Sequence, residues 1–146
     1  NLIEEMRLAT ILARNEARDI AAADTSAVFH AATIGGAEAL GRPDLGRIAE
    51  GAAADVVLVD LSHPLMIPPR DPLRVLVYHA ADRAVSRVFI GGETVWRDGK
   101  STRMNTADAA GILIEAQQRM LRNAAQRDYR GRDGDVIAPI SLPVAG

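Results

Sequence analysis

The sequence contains no cysteine, which excludes a disulfide framework, thiolate catalysis and cysteine-based zinc sites, and fits a reducing compartment. Aromatic residues make up 3% of the chain, too few for the successive stacking platforms that single-stranded nucleic acid requires. Lysine and arginine number 17 against 19 aspartates and glutamates, a formal net charge of −2. Without a basic excess to neutralise phosphates, nucleic acid is not an expected partner. No apolar run approaches the roughly 20 residues of a membrane span, and no signal-peptide pattern opens the chain, so a cytoplasmic protein is expected. Histidine is scarce as well: His30, His63 and His79 form no His-x-His pair and no i, i+4 pair. His30 falls inside a predicted helix, His63 precedes a proline and His79 ends a short predicted helix. His30 reads as a packed or cap-bonding imidazole, and His63 and His79 as structural residues, rather than as metal ligands.

What the chain does have is centred on Leu45 to Asp60, LGRIAEGAAADVVLVD. Gly46 and Gly51 bracket a short strand-like piece, Arg47-Ile48-Ala49. Asp55 then opens Val56-Val57-Leu58-Val59, an uninterrupted β-prone run closed by Asp60. Apolar residues at every position fit a strand covered on both faces. Such a strand needs neighbours on two sides, and few other segments here could serve.

Helical spacing of Leu2, Met6, Ala9, Ala13, Ala17 and Ile20 predicts a helix over 2–20, with Glu4 and Glu5 in its first turns suiting the macrodipole. Asp24 caps a second predicted helix, 25–34, interrupted by Gly35-Gly36 and followed by a short turn that Gly41 and Pro43 end. Prolines at 64, 68, 69 and 72 predict an extended crossing. Asp71 before Pro72 then starts a helix to about Ala80. Gly91-Gly92 joins the strands 85–90 and 93–97 as a hairpin, which Asp98-Gly99 ends. Trp96 reads as core or interface packing. Asn105 and Thr106 start a last helix to about Asp128, burying Ala110, Leu113, Ile114, Met120, Leu121 and Ala124. Residues 129–146 show no periodicity and read as an extended or partly disordered tail. Neither glycine pair has the strand, loop and Lys-Ser/Thr context of a phosphate loop.

Three stretches in order carry a resemblance: Ala31 to Gly46, Leu45 to Asp60 and Ala84 to Lys100. Their matching positions are Ala32-Thr33, Gly36-Ala37, Ala39-Leu40-Gly41, Gly46-Arg47-Ile48, Glu50-Gly51, Ala54-Asp55, Asp60, Val85, Val88, Gly91-Gly92 and Val95. In this arrangement the chain resembles the C-terminal part of the metal-dependent amidohydrolases, in the branch of cytosine and guanine deaminases and triazine hydrolases. The fold class so implied is an α/β fragment: closing helices of an incomplete (β/α)₈ barrel, strands of a small composite β-sandwich, and a C-terminal helix. A complete barrel takes roughly 200 residues or more, so the 146 present, opening on Asn1 rather than methionine, are expected to be a piece of a longer parent. The implied segments are barrel helices at 1–44, sandwich strands at 45–60, a crossing and short helix at 61–83, the sandwich hairpin at 84–104, the C-terminal helix at 105–128 and the tail at 129–146.

For the parent, the resemblance implies hydrolytic deamination of a pyrimidine, purine, pterin or triazine-like ring by a water activated on zinc or iron. The family's ligands, a His-x-His pair, two later histidines and an aspartate, have no counterpart among these residues. The chain is accordingly read as scaffold, not an enzyme by itself, with no catalytic and no metal-binding residue and an unassigned substrate site. By the same resemblance Asn1 and Glu4 stand near the parent's active-site rim. Two alternatives remain open: a self-associating, non-catalytic module of the same ancestry, and an amide- or halide-hydrolysing relative. The expected partners are the remainder of the parent, further copies of this chain and, in the parent, the heterocyclic substrate.

Open strand edges and uncovered faces template association. Light scattering at low micromolar concentration is therefore expected to find the isolated chain in oligomers or bound to its complementary piece; a cooperatively folding monomer would contradict the reading as a fragment.

Overall fold

Asn1 begins the first helix: its side-chain oxygen accepts the Ile3 N–H at 3.1 Å, satisfying a donor that a helix start leaves free. In the computed structural model, which describes residues 1–142, helix α1 runs Leu2–Ala17. It stops short of the predicted Ile20 because Arg18 turns left-handed, at φ 51°. The Arg18 N–H then donates to Asn15 O and the Asp19 N–H to Arg14 O, closing the end. The buried face also differs from prediction, since Met6 and Thr10 are buried while Leu2 and Ile20 are 61% and 85% exposed. Thr10 tolerates the interior by donating its hydroxyl to Met6 O at 2.8 Å.

Asp24 caps α2, Thr25–His30, by accepting the Ala27 N–H at 2.8 Å. Gly35-Gly36 does not break the helical path as predicted. The helix widens into a π turn over Ala31–Gly35 and continues as α3, Gly36–Ala39, with both glycines at φ −62°. A glycine inside a helix costs only about 1 kcal/mol relative to alanine, which the surrounding packing outweighs. Gly41, at φ 66°, ends it as predicted, and the Arg42 N–H reaches back to Ala37 O at 2.9 Å.

The loop after α3 lies directly on the π turn. Gly46 sits at φ 72°, so close that a Cβ there would fall 2.5 Å from Thr33 O and 2.9 Å from the Ile34 nitrogen. The strand-like piece predicted at 47–49 is irregular, and Ile48 is 89% exposed. Bonds elsewhere shape this loop, among them the Ala53 N–H to Asp44 O at 2.8 Å and the Arg42–Asp44 ion pair at 2.6 Å.

Strands β1 (Val56–Val59), β2 (Val85–Ile90), β3 (Glu93–Arg97) and β4 (Lys100–Ser101) form one antiparallel sheet in that order. Gly91 and Gly92, at φ 56° and 82°, make the predicted tight turn between β2 and β3. Asp98-Gly99 does more than end β3: at φ 49° and 80° it turns the chain into β4, a strand too short to leave a pattern in the sequence. The apolar run of β1 is not covered on both faces as expected. Val57 and Leu58 are 53% and 43% exposed, and β2 is the one strand paired with it among the described residues.

The proline-rich crossing is not simply extended either. Pro64–Met66 forms a 3₁₀ turn that carries Met66 into the interior, where it is fully buried with Ala80 and Ala84 against Val59, Val75 and Leu76. Asp71 caps α4, Pro72–Val75, as predicted, accepting the Arg74 N–H at 3.1 Å. A π turn over Leu76–Ala80 and a 3₁₀ turn over Ala81–Ala84 then lead into β2.

The chain divides into two units, Asn1–Arg103 and Met104–Gly146. In the second, Asn105 caps α5, Thr106–Arg122, through the Ala107 N–H at 3.0 Å, and α6 follows over Ala124–Arg127. No residue of α5 is buried, so the face predicted as core is open: Leu113, Ile114 and Met120 are more than half exposed. The predicted structureless tail contains α7, Gly134–Ile137, capped by Asp133 through the Val136 N–H at 2.9 Å. Its Gly134 lies against Leu121. The end of that predicted tail, residues 143–146, lies outside the described residues.

Gly46 and Gly51 both sit at positive φ, 72° and 78°, but a Cβ on Gly51 meets nothing within 4 Å. Gly46→Ala is therefore expected to destabilise the chain by at least about 1 kcal/mol more than Gly51→Ala in urea unfolding. Equal losses would show that close approach to Thr33 is not what requires glycine.

Candidate functional site

The three histidines lie apart from one another in local structure, and one of them makes a side-chain hydrogen bond within it. His30 ends α2 on the exposed surface. His63 accepts the Leu65 N–H on Nδ1 at 3.2 Å, which occupies that nitrogen's lone pair in capping the 3₁₀ turn. His79 lies in the second π turn, and its carbonyl accepts from Arg83 at 2.7 Å. Among the described residues, no group of three or more histidines and carboxylates is placed to hold a metal ion. The residues present thus do not fit the divalent metal that the resemblance implies.

Four aspartates are likewise held in local hydrogen bonds. The Asp24 carboxyl is held below its ordinary range by the Ala27 N–H and the Ser26 hydroxyl. Asp44 is lowered by the Arg42 guanidinium, and Asp60 by the hydroxyl and then the N–H of Ser62. Asp128 is lowered furthest, to about 2, by the Arg132 guanidinium and then by the Arg132 N–H, against the opposing effect of burial. A carboxylic acid that exchanges protons near neutral pH needs the opposite shift. At neutral pH these groups serve as ionised acceptors.

At the rim position implied for Asn1 and Glu4, Asn1 has its side-chain oxygen committed to the α1 cap, and Glu4 and Glu5 are exposed in the first helical turn. Sequence reasoning missed the role of Asp55. Its Oδ1 accepts the Gly91 N–H at 2.7 Å while the neighbouring Ala54 O accepts the Gly92 N–H at 2.9 Å. The available signal was an aspartate directly before a strand, paired with a glycine turn. Trp96 is half-buried on β3, opposite Val88 on one side and Ser101 on the other. An open groove lies along Pro68, Arg70, Asp71, Pro72, Arg74 and Val75, but its carboxylate is already spent on capping α4.

Residues 1–95 match the sequence pattern of the amidohydrolase family. The chain belongs to that family. A 5-methylthioadenosine/S-adenosylhomocysteine deaminase from Pelotomaculum thermopropionicum is 36% identical over 122 residues, which is 84% of this chain and 28% of the relative. A 5′-deoxyadenosine deaminase from Methanosphaera stadtmanae is 36% identical over 109 residues, 75% of this chain and 25% of the relative. Among solved structures, an adenosine deaminase from Xanthomonas campestris with bound zinc matches with a TM-score of 0.77 at 36% identity, over 81% of this chain and 27% of that one. An atrazine chlorohydrolase from Arthrobacter aurescens, solved with zinc, shares the fold at a TM-score of 0.70 and 24% identity, over 77% of this chain and 25% of that one. This amidohydrolase chain spans roughly a quarter of the length of the curated relatives it matches.

Two measurements check these assignments. After dialysis, this amidohydrolase chain is expected to hold no stoichiometric zinc or iron; a one-to-one metal that depended on His30, His63 or His79 would overturn the ligand assignment. Because the Asp128 carboxyl is lowered on folding, its contribution is present above the ordinary carboxylate range and is lost as pH falls toward about 2. Asp128→Asn is expected to remove that part of the acid sensitivity of the second unit, while an unchanged acid transition would show that the Arg132 pair does not form.

Proposed function

We propose that this chain is the C-terminal part of a metal-dependent amidohydrolase that hydrolytically deaminates an adenine-type nucleoside. The observation that carries the reading is likeness over most of this chain to deaminases of 5-methylthioadenosine, S-adenosylhomocysteine and 5′-deoxyadenosine, joined by the fold of an adenosine deaminase. In such a reaction water adds to the amino-bearing ring carbon, the carbon–nitrogen bond breaks and ammonia leaves. Zinc or iron is held by residues of the parent outside this chain, and the described residues serve as scaffold.

In the parent, residues 1–44 close the barrel as its last helices. Residues 45–60 and 84–104 supply strands to a composite β-sandwich, 61–83 cross back toward the barrel, and the helix at 105–128, followed by the tail at 129–146, packs back on the barrel. Apolar exposure supports this placement: Leu8, Ile11 and Leu12 on α1, and Val57 and Leu58 on β1, are all about half exposed. Covering such surface is favourable by about 25 cal/mol per Å², and the remainder of the parent and a second copy are the proposed covers. No helix among the described residues is long and apolar enough to cross a membrane, and the cytoplasm is the proposed compartment.

The deciding assay uses the product of the complete reading frame, loaded with zinc or iron, on 5-methylthioadenosine, S-adenosylhomocysteine, 5′-deoxyadenosine and adenosine. Stoichiometric ammonia release with at least one of them is expected, and none from the 146-residue chain alone. Hydrolysis of an amide or a carbon–halogen bond, with no ammonia from any adenine nucleoside, would replace the deaminase reading with that of a differently acting relative.

A further inference from the structure

We draw no further inference here: the strongest candidate, the exposed apolar residues of the sheet, Val57 and Leu58 on the two faces of β1 and Ile90 at the end of β2, has nothing in the structure to show what covers them beyond the parent chain already proposed.

Discussion

Two backbone donors at the tip of the β2–β3 hairpin organise the sheet. Gly91 gives its N–H to the Asp55 carboxylate and Gly92 gives its N–H to Ala54 O, so the residues entering β1 grip the turn of a hairpin more than thirty positions away. A bond to an ionised acceptor is about twice as strong as a neutral one. The grip sets the register, with Val56 opposite Phe89 and Val57 opposite Val88. A slip by one residue would send every β1 side chain to the other face. At the far end the Ser86 hydroxyl donates to Leu58 O and the Asp60 N–H to Ala84 O, pinning the strand at both ends.

A second joint ties this sheet to the helices. Val59, the last residue of β1, packs against Met66, Ala80 and Ala84, where the small alanine side chains let backbones approach while the flexible methionine fills the space left. The Gly46 loop rests on the π turn after α2 in the same manner, backbone against backbone. Close-packed contacts of this kind cannot deform gradually.

The polar residues divide their work accordingly. Asn1, Asp24, His63, Asp71, Asn105 and Asp133 each satisfy a backbone N–H at the start of a helix or turn. Each such bond occupies one acceptor atom of the side chain, a carboxylate or amide oxygen or the Nδ1 of His63.

Features that depend on neighbours in sequence were legible without the structure. The caps at Asp24, Asp71 and Asn105, the Gly41 helix end, the β1 run and the Gly91-Gly92 hairpin all follow from the conformational limits of one or two residues and the donors beside them. The resemblance that led to the amidohydrolase family rests largely on turn and strand positions of the same kind. Tertiary contacts decided the rest. Gly35-Gly36 stays helical where local preference favours a break, because a preference of about 1 kcal/mol per residue is weak enough for its context to override. Thr10 became core, Leu113 and Met120 remained open, and Asp55 found its partner in Gly91. Each outcome depends on what lies opposite in space, and periodicity records only which residues share a face, not whether anything meets it.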